Sequence, residues 1–408
     1  MSRAILAVFC ALVAYCARAD DRVLVLRGAT VYVDPTTAPL NDTDVVVRNG
    51  VIASVGGTAP TAATVLDCRG ATVVAGLHNS HVHLMGPEWA DAAKQPADVL
   101  AAHLRDMLTR YGFTTVFDTG SRLDDTLALR WRIEMTEIAG PRILTAGEPL
   151  YPPDGIPFYL RDLPPEILKL LKQPATPDEA VEAVTTNIVR GADAVKLFTG
   201  ALKAAGVVKP MPVAIANAAV VQAHRLGVPV FAHPSNVDGA TVAVDAGVDV
   251  LAHTNSAGWT PELVQSMLAH RTALIPTLKL WPYEAAKEHA SQAETEAFLG
   301  DAVAQLTAFV RGGGEVLFGT DVGYMRDFDP TDEYVFMARA GMTPMQILAS
   351  LTTAPAARFQ RQLKIGRVAT AYVADLTVLD ADPAQDVRAF ARVRYTIRDG
   401  KPIFDSTR

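Results

Sequence analysis

Alternating hydrophobic and polar positions near the N-terminus predict short β-strands. Runs such as Asp44–Arg48 and Val51–Val55 are rich in valine and isoleucine. Asn49-Gly50 separates these two runs, and this dipeptide is a strong signal for a two-residue hairpin turn. We therefore expect residues 20–75 to be a β-rich segment without a helical pattern.

The C-terminus shows the same pattern of short predicted β-strands. Residues Tyr372–Leu379 and Arg394–Arg398 read as strands, and Asp399-Gly400 is a second hairpin signal. The termini of a domain often lie close together. We expect residues 20–75 and 363–408 to form one small composite β-sandwich, closed across the long middle of the chain.

Residues 76–362 alternate buried-strand patterns with helical ones. One helical stretch, Val213–Leu226, is followed by Gly227, a residue that often terminates helices. Eight β/α units over this length predict an α/β fold of the (β/α)8 TIM-barrel type, with its active site at the carboxyl ends of the strands. Besides the strand that leads into His81, the predicted strands are Thr114–Asp118, Arg142–Ala146, Ala194–Phe198, Pro229–His233, Val248–His253, Ala273–Leu278 and Val316–Asp321.

Residues 1–19 resemble a signal peptide. A short basic start at Ser2-Arg3 precedes the apolar stretch Ala4–Ala14, and Ala17-Arg18-Ala19 fits an A-x-A cleavage site. The stretch is shorter than the roughly 20 residues that span a bilayer. We expect an exported, periplasmic protein that has no membrane partner once the signal is removed.

Composition and charge narrow the function classes. The chain has 408 residues and a net charge of -7, and it has no dense run of lysine or arginine. Nucleic acid is therefore excluded as an expected partner, and a small molecule or peptide is favoured as substrate. Outside the signal segment only Cys68 remains, so an internal disulfide cannot form. The sequence is compatible with a homo-oligomer.

Candidate chemistry is concentrated at the predicted strand ends. His81 and His83 are two residues apart, so in a strand both side chains leave the same face and can reach one ion. Imidazoles and carboxylates suit Zn²⁺, with Mn²⁺ and Fe²⁺ as alternatives. The ordered set of strand-end residues predicts a two-metal hydrolase site: His81, His83, Lys196, His233, His253 and Asp321.

Each of these residues also has a purely structural interpretation. Lys196 could be an ion-paired lysine, although a lysine in an apolar strand is costly without a partner. His233 and His253 could be hydrogen-bonded core histidines, and Asp321 could be a helix N-cap. His78 is interpreted as structural or as a support for the ligands.

The motifs resemble those of the amidohydrolase superfamily, in the branch of imidazolonepropionase-like proteins and metal-dependent Xaa-Pro or Xaa-Arg dipeptidases. The resemblance covers essentially all of the mature chain. Two departures stand out: Asn79 replaces the usual aspartate before the first ligand, and Ser235 replaces the second histidine of the usual His-Ala-His. The motifs that carry the resemblance are Gly76-Leu77 before His81-Val82-His83, Gly191–Lys196, His233, His253, Phe318–Asp321 and Gly341–Pro344.

The resemblance implies a binuclear centre with two divalent ions, of which Zn²⁺ is the expected one. Lys196 would carry a CO2-derived carbamate that bridges them. His81, His83 and Asp321 would hold the first ion, and His233 and His253 the second. A hydroxide between the ions would attack the substrate carbonyl, and Asp321 would act as general base and then general acid.

The same resemblance narrows the reaction. Deaminases of this fold typically lack the lysine and carry a glutamate at the position of Asn236, and imidazolonepropionase also lacks the lysine. Hydrolysis of an amide, in a dipeptide or an N-acyl amino acid, is the favoured function. The alternatives are a lactonase or esterase on the same metal site, and a catalytically silent homologue.

Overall fold

The computed structural model describes residues 23–57, 60–255 and 258–407. The predicted signal peptide of residues 1–19 lies outside these residues. Within the described ranges no helix is both long and apolar enough to cross a membrane.

The described residues form seventeen strands and twelve α-helices. The strands are β1 Val23–Val31, β2 Leu40–Arg48, β3 Val51–Val55, β4 Thr64–Asp67, β5 Thr72–Ala75, β6 Leu77–Val82, β7 Phe113–Asp118, β8 Arg142–Thr145, β9 Val195–Phe198, β10 Gly200–Ala204, β11 Val207–Pro210, β12 Val230–His233, β13 Val250–Ala252, β14 Ala273–Ile275, β15 Leu376–Leu379, β16 Val393–Arg398 and β17 Lys401–Asp405. The helices are α1 Ala97–Met107, α2 Leu123–Glu134, α3 Pro165–Leu168, α4 Pro177–Arg190, α5 Val213–Arg225, α6 Val237–Asp245, α7 Pro261–His270, α8 Leu280–Lys287, α9 Gln292–Arg311, α10 Thr331–Arg339, α11 Pro344–Leu351 and α12 Thr353–Arg358.

Strands from both ends of the chain share one sheet, in the order β17-β16-β15-β5-β1-β2-β3, with β4 also paired to β1. The N-terminal hairpin turns at Asn49 and Gly50, whose φ angles of 52° and 83° match the turn that this dipeptide predicts. Leu26, Val73 and Ile397 belong to a single apolar cluster beneath the sheet. The two ends of the chain therefore stabilise each other.

The middle of the chain contains two parallel sheets. One has the order β6-β7-β8 and the other β14-β13-β12-β9. A parallel bridge between Leu150 and Leu197 links the segment after β8 to β9. Amphipathic helices such as α4 and α5 lie between the strands in sequence and pack against each other. The architecture is a TIM-barrel-like α/β fold.

The predicted strand Val316–Asp321 is wrong as a regular strand. The segment makes only isolated parallel bridges, from Val316 to Leu274 on one side and from Val322 to Val82 on the other. The physical reason is a diverted hydrogen bond: the N–H of Phe318 donates to the Ser350 carbonyl rather than to a neighbouring strand. The segment still lies between β14 and β6, which brings Asp321 to the end of β6.

An apolar cluster lies against the parallel strands. Its members include Phe117, Phe231, Ile275 and Leu317, and all are nearly or fully buried. Polar residues occur instead at the carboxyl ends of the same strands. This division between an apolar interior and a polar strand end is what creates the candidate site.

Candidate metal centre

His81 and His83 lie at the end of β6 and share one carboxylate. The His81 side chain is fully buried, whereas 15% of the His83 side chain is exposed. Their Nε2 atoms lie 3.3 Å and 3.0 Å from the same oxygen, Oδ1 of Asp321. The potential ligand atoms of the three residues all lie within 4.8 Å of one another. The structure brings this predicted triad together.

Main-chain hydrogen bonds hold Asp321 in an uncommon conformation. Its φ angle is 62°, in the left-handed region, and its N–H donates to the His81 carbonyl at 2.9 Å. His253 has a similar φ angle of 70°. Such backbone conformations cost free energy in non-glycine residues and are concentrated at functional sites.

The other two predicted histidines lie close to His81 and to each other. The His253 ring is 4.6 Å from the His81 ring and 4.8 Å from the His233 ring, between centroids. Nδ1 of His253 is 2.6 Å from the Thr277 hydroxyl. Nε2 of His233 is 3.1 Å from the Ser235 hydroxyl, which itself donates to the Gly200 carbonyl. The serine that replaces the usual histidine thus contacts His233 directly.

Lys196 is 1% exposed on β9, beside these rings. Among the described residues no carboxylate forms an ion pair with its ammonium group, and its Nζ lies 5.9 Å from the Phe198 ring centroid. Burial lowers the pKa of Lys196 from 10.5 to about 8, although the charges of Asp321 and Asp118 oppose this effect. About a tenth of such a lysine is neutral at pH 7, a far larger fraction than for a surface lysine.

The protonation states of the site suit a divalent cation. Burial lowers the pKa of His81 and of His233 to about 3, with a further contribution from the nearby Lys196 charge, and the pKa of His253 also falls well below its usual value. These imidazoles are therefore neutral and have a lone pair to donate. The Asp321 carboxyl has a pKa well below its usual range, despite burial, because of the surrounding histidines.

Buried polar atoms without hydrogen-bond partners provide a test of this fit. Both ring nitrogens of His81 and Oδ1 of Asp321 are buried and form no hydrogen bond with good geometry among the described residues. Leaving such atoms unpaired costs free energy unless a ligand satisfies them. Neutral imidazoles around an ionised carboxylate form a donor set that a metal ion would satisfy.

Two neighbouring groups orient the first histidine pair. The ring of His83 donates from Nδ1 to the Gly120 carbonyl at 2.9 Å, which leaves Nε2 as the nitrogen with the lone pair. The Asn79 side chain accepts from the N–H of His81 and of Thr320, each at 3.2 Å, and donates to the Thr320 hydroxyl at 2.7 Å. Asn79 therefore positions β6 relative to the segment that carries Asp321.

Sequence reasoning missed three supporting residues. Thr277 contacts His253. Asp118, at the end of β7, accepts hydrogen bonds from Ser121 at 2.6 Å, from Thr126 on α2 and from Thr145 at the end of β8. Glu333 is fully buried and accepts from the N–H of Lys279 at 2.8 Å, which holds the turn after Thr277. The sequence signal for two of them was position: Asp118 is the last residue of a predicted strand, and Thr277 is the second-last residue of another.

Aromatic residues surround the mouth of the site. The Tyr324 ring lies 6.1 Å from Tyr159 and 6.4 Å from Tyr283, between centroids. The charge of Asp321 contributes to the raised pKa of both Tyr159 and Tyr324, which places these rings near the carboxylate. Lys279, which precedes α8, is buried and forms an ion pair with Asp327 at 2.8 Å.

Solved structures share this fold over nearly the whole chain. A Xaa-Pro dipeptidase with bound methionine in its active site superposes with a TM-score of 0.81, at 22% identity, over 94% of this chain and 100% of that chain. A candidate prolidase from Bifidobacterium longum gives 0.78 at 27% identity, over 93% and 94%.

Among curated proteins, an uncharacterized protein of Mycobacterium bovis is 31% identical over 143 residues, 33% of this chain. The chain spans 38% of the length of that relative.

Family membership follows from a match over most of the sequence. The profile of the Amidohydrolase family matches residues 72–403, which include the histidines, Lys196 and Asp321. This match supports a metal-dependent hydrolase that acts on C–N bonds, and the likeness to the dipeptidase and prolidase structures supports the shared fold. The chain belongs to the amidohydrolase family.

Proposed function

We propose that the protein hydrolyses an amide bond in a dipeptide or an N-acyl amino acid, with two divalent metal ions as cofactors. The observation that carries this proposal is Lys196, buried without an ion-pair partner among the described residues and next to neutral histidines. In a one-metal site that consists of the triad alone, this lysine would have no role. The free-energy cost of burying its ammonium group would then be uncompensated.

The residues would divide into two ligand groups. His81, His83 and Asp321 would hold one ion, His233 and His253 the other, and Lys196 would bridge them as a carbamate. The carbamate forms when the neutral amine attacks CO2, so that an N–C bond forms and one proton leaves. When bound, such ions lower the pKa of water toward 7 and polarise a carbonyl, and Zn²⁺ suits this donor set.

Asp321 is proposed as the proton carrier. Its carboxylate is ionised at neutral pH, lies at the strand end and has a buried oxygen without a hydrogen-bond partner among the described residues. It would accept the proton of the attacking water and deliver it to the amine that leaves. His81 and His253 are buried, so they would hold the site rigid and exclude bulk water.

The substrate class rests on likeness and on the mouth of the site. The similar structures include a Xaa-Pro dipeptidase. Tyr159, Tyr283 and Tyr324 provide an aromatic wall against which a prolyl or other apolar side chain would pack. We further propose that residues 76–362 close into a complete (β/α)8 barrel, with 20–75 and 363–408 as its composite β-sandwich.

Metal analysis combined with a substrate panel tests the proposal. We expect two ions per chain, a mass increase equal to one CO2 on Lys196, and turnover of Xaa-Pro dipeptides or N-acyl amino acids. The panel should include lactones and carboxylic esters. Strong lactone turnover without amide cleavage would contradict the amidase, and less than one ion per chain would indicate a silent homologue.

A further inference from the structure

A cavity lies at the opposite end of the parallel strands from the metal centre. Its volume is about 510 Å³, and its wall includes Arg142, the first residue of β8, and Asp193, which precedes β9. The metal-centre residues lie instead at the carboxyl ends of the strands. On β6, His78 interacts electrostatically with Arg142 and Arg361, whereas His81 is three residues further along, or roughly 10 Å.

The wall of this cavity is rich in arginine. Four guanidinium groups and two carboxylates line it: Arg130, Arg142, Arg190, Arg361, Glu134 and Asp193. A guanidinium group remains charged at any physiological pH. Cationic groups therefore outnumber anionic groups in the lining itself, although the chain as a whole carries a net charge of -7.

Three of these arginines already have carboxylate partners. Arg130 pairs with Asp193 at 2.7 Å, Arg142 with Asp375 at 2.5 Å, and Arg190 with both Asp124 and Glu148. These pairs fix the positions of the guanidinium groups. They also join α2, β8 and the terminal sheet around the cavity.

Arg361 differs from the other three. It is partly buried, and among the described residues no carboxylate or carbonyl accepts a hydrogen bond from its side chain. Burial and the charges of Arg142 and Arg130 lower the pKa of Arg361, although the charges of Asp193 and Glu134 oppose this effect. An unpaired cation next to other cations is costly unless an anion compensates it.

Trp131 adds a flat apolar surface to the same wall. It lies next to Arg130 on α2, and 66% of its surface is exposed. An exposed tryptophan beside arginines can stack on a planar group whose charged end contacts a guanidinium. The lining thus offers one apolar and one cationic contact to the same ligand.

We propose that this cavity binds a small organic oxyanion, a carboxylate or a phosphate, with the anionic group on Arg361 and the apolar part on Trp131. The planar guanidinium donates two parallel hydrogen bonds to either type of oxyanion. The site is separate from the metal centre and does not depend on the proposed reaction.

Isothermal titration of the metal-loaded protein with phenyl phosphate, benzoate and neutral benzyl alcohol tests this site at low ionic strength. We expect the anions to bind and benzyl alcohol not to bind. Binding of both anions indicates a general oxyanion site, and binding of one identifies the preferred group. If neither anion binds, the proposal is overturned.

Variants locate the binding. Arg361→Gln should weaken it at least tenfold and Arg361→Lys less, while Arg105→Gln, at an exposed arginine on α1, should leave it unchanged. Phenyl phosphate could also bind the metal centre, so His81→Ala should retain the Arg361-dependent component. Ligand-induced fluorescence quenching should disappear in Trp131→Phe. An unchanged dissociation constant in a folded Arg361→Gln variant would overturn the proposal.

Discussion

The two halves of the candidate metal centre differ in how far the protein alone assembles them. His81, His83 and Asp321 converge on one point, with the histidine nitrogens 3.3 Å and 3.0 Å from one carboxylate oxygen. His233 and His253 instead contact hydroxyl groups, and Lys196 lies beside them without a carboxylate partner among the described residues. The first half is therefore preorganised, whereas the second would be completed by the proposed carbamate on Lys196.

Charge explains this difference. In the first half an ionised carboxylate and two neutral imidazoles bring electron-pair donors to one point, so this group already suits a cation. In the second half the nearest charged group is a lysine, which has no lone pair when protonated and repels any cation. Conversion of Lys196 to a carbamate would change the charge of this side chain from positive to negative. Each half of the centre would then contain an anionic group.

The largest effect is expected from the preorganised half. His81→Ala should lower kcat/KM by about three orders of magnitude and abolish metal binding there, because a buried ligand is lost. Steady-state kinetics with metal analysis measure both effects. His270→Ala, at an exposed histidine on α7, is the matched control and should behave like the unaltered protein. Activity of His81→Ala within tenfold of the unaltered protein would refute its role as a ligand.

The Lys196→Ala variant tests the second half of the centre, which consists of Lys196, His233 and His253. We expect the metal content to fall from two ions to about one and kcat to fall by about 100-fold, since the bridge between the ions is lost. Added propionate should restore part of the activity by placing a carboxylate in the vacated space. Lys209→Ala, at an exposed lysine on β11, serves as the control. Undiminished activity without Lys196 would show that the two halves are not bridged.

A smaller loss is expected when the support of His253 is removed. Thr277→Val keeps the β-branched shape but removes the hydroxyl that lies 2.6 Å from Nδ1. Loss of such a supporting hydrogen bond typically lowers metal affinity by about 10- to 100-fold. Competition with a chelator measures the affinity, and Thr277→Ser should restore it. Equal affinity in the valine and serine variants would show that the hydroxyl does not position His253.

The smallest expected effect is the change in the rate of Lys196 carboxylation with pH. With a pKa of about 8, the neutral fraction of Lys196 in the metal-free protein rises about eightfold between pH 7 and pH 8.5. Carboxylation at a fixed CO2 concentration should accelerate by the same factor, as measured by mass spectrometry.

The lowered pKa of Lys196 also predicts how the stability of the protein changes with pH. The cost of the buried ammonium is fully present below about pH 8 and is relieved as the pH rises toward 10.5, so the free energy of unfolding should increase over that range. A carboxylation rate that does not change with pH would contradict the lowered pKa.

Much of this molecule could be predicted from its sequence because the relevant signals are local. The hairpins at Asn49-Gly50 and Asp399-Gly400 follow from residues that tolerate positive φ angles. The parallel strands follow from short apolar runs, and the placement of His81 and His83 on one face follows from the period of a strand. The prediction failed at Val316–Asp321, where a hydrogen bond from Phe318 to the distant Ser350 prevents a regular ladder.

The sequence by itself determined the ligand types, their order along the chain and the strand ends at which they occur, since these depend on residue identity and short-range periodicity. Only the tertiary structure decided which atoms converge. The pKa of Lys196, the contact of Thr277 with His253 and the Arg361 cavity all arise between residues far apart in the chain. Burial and through-space charge determine these properties, and neither can be inferred from the residues that are adjacent in the sequence.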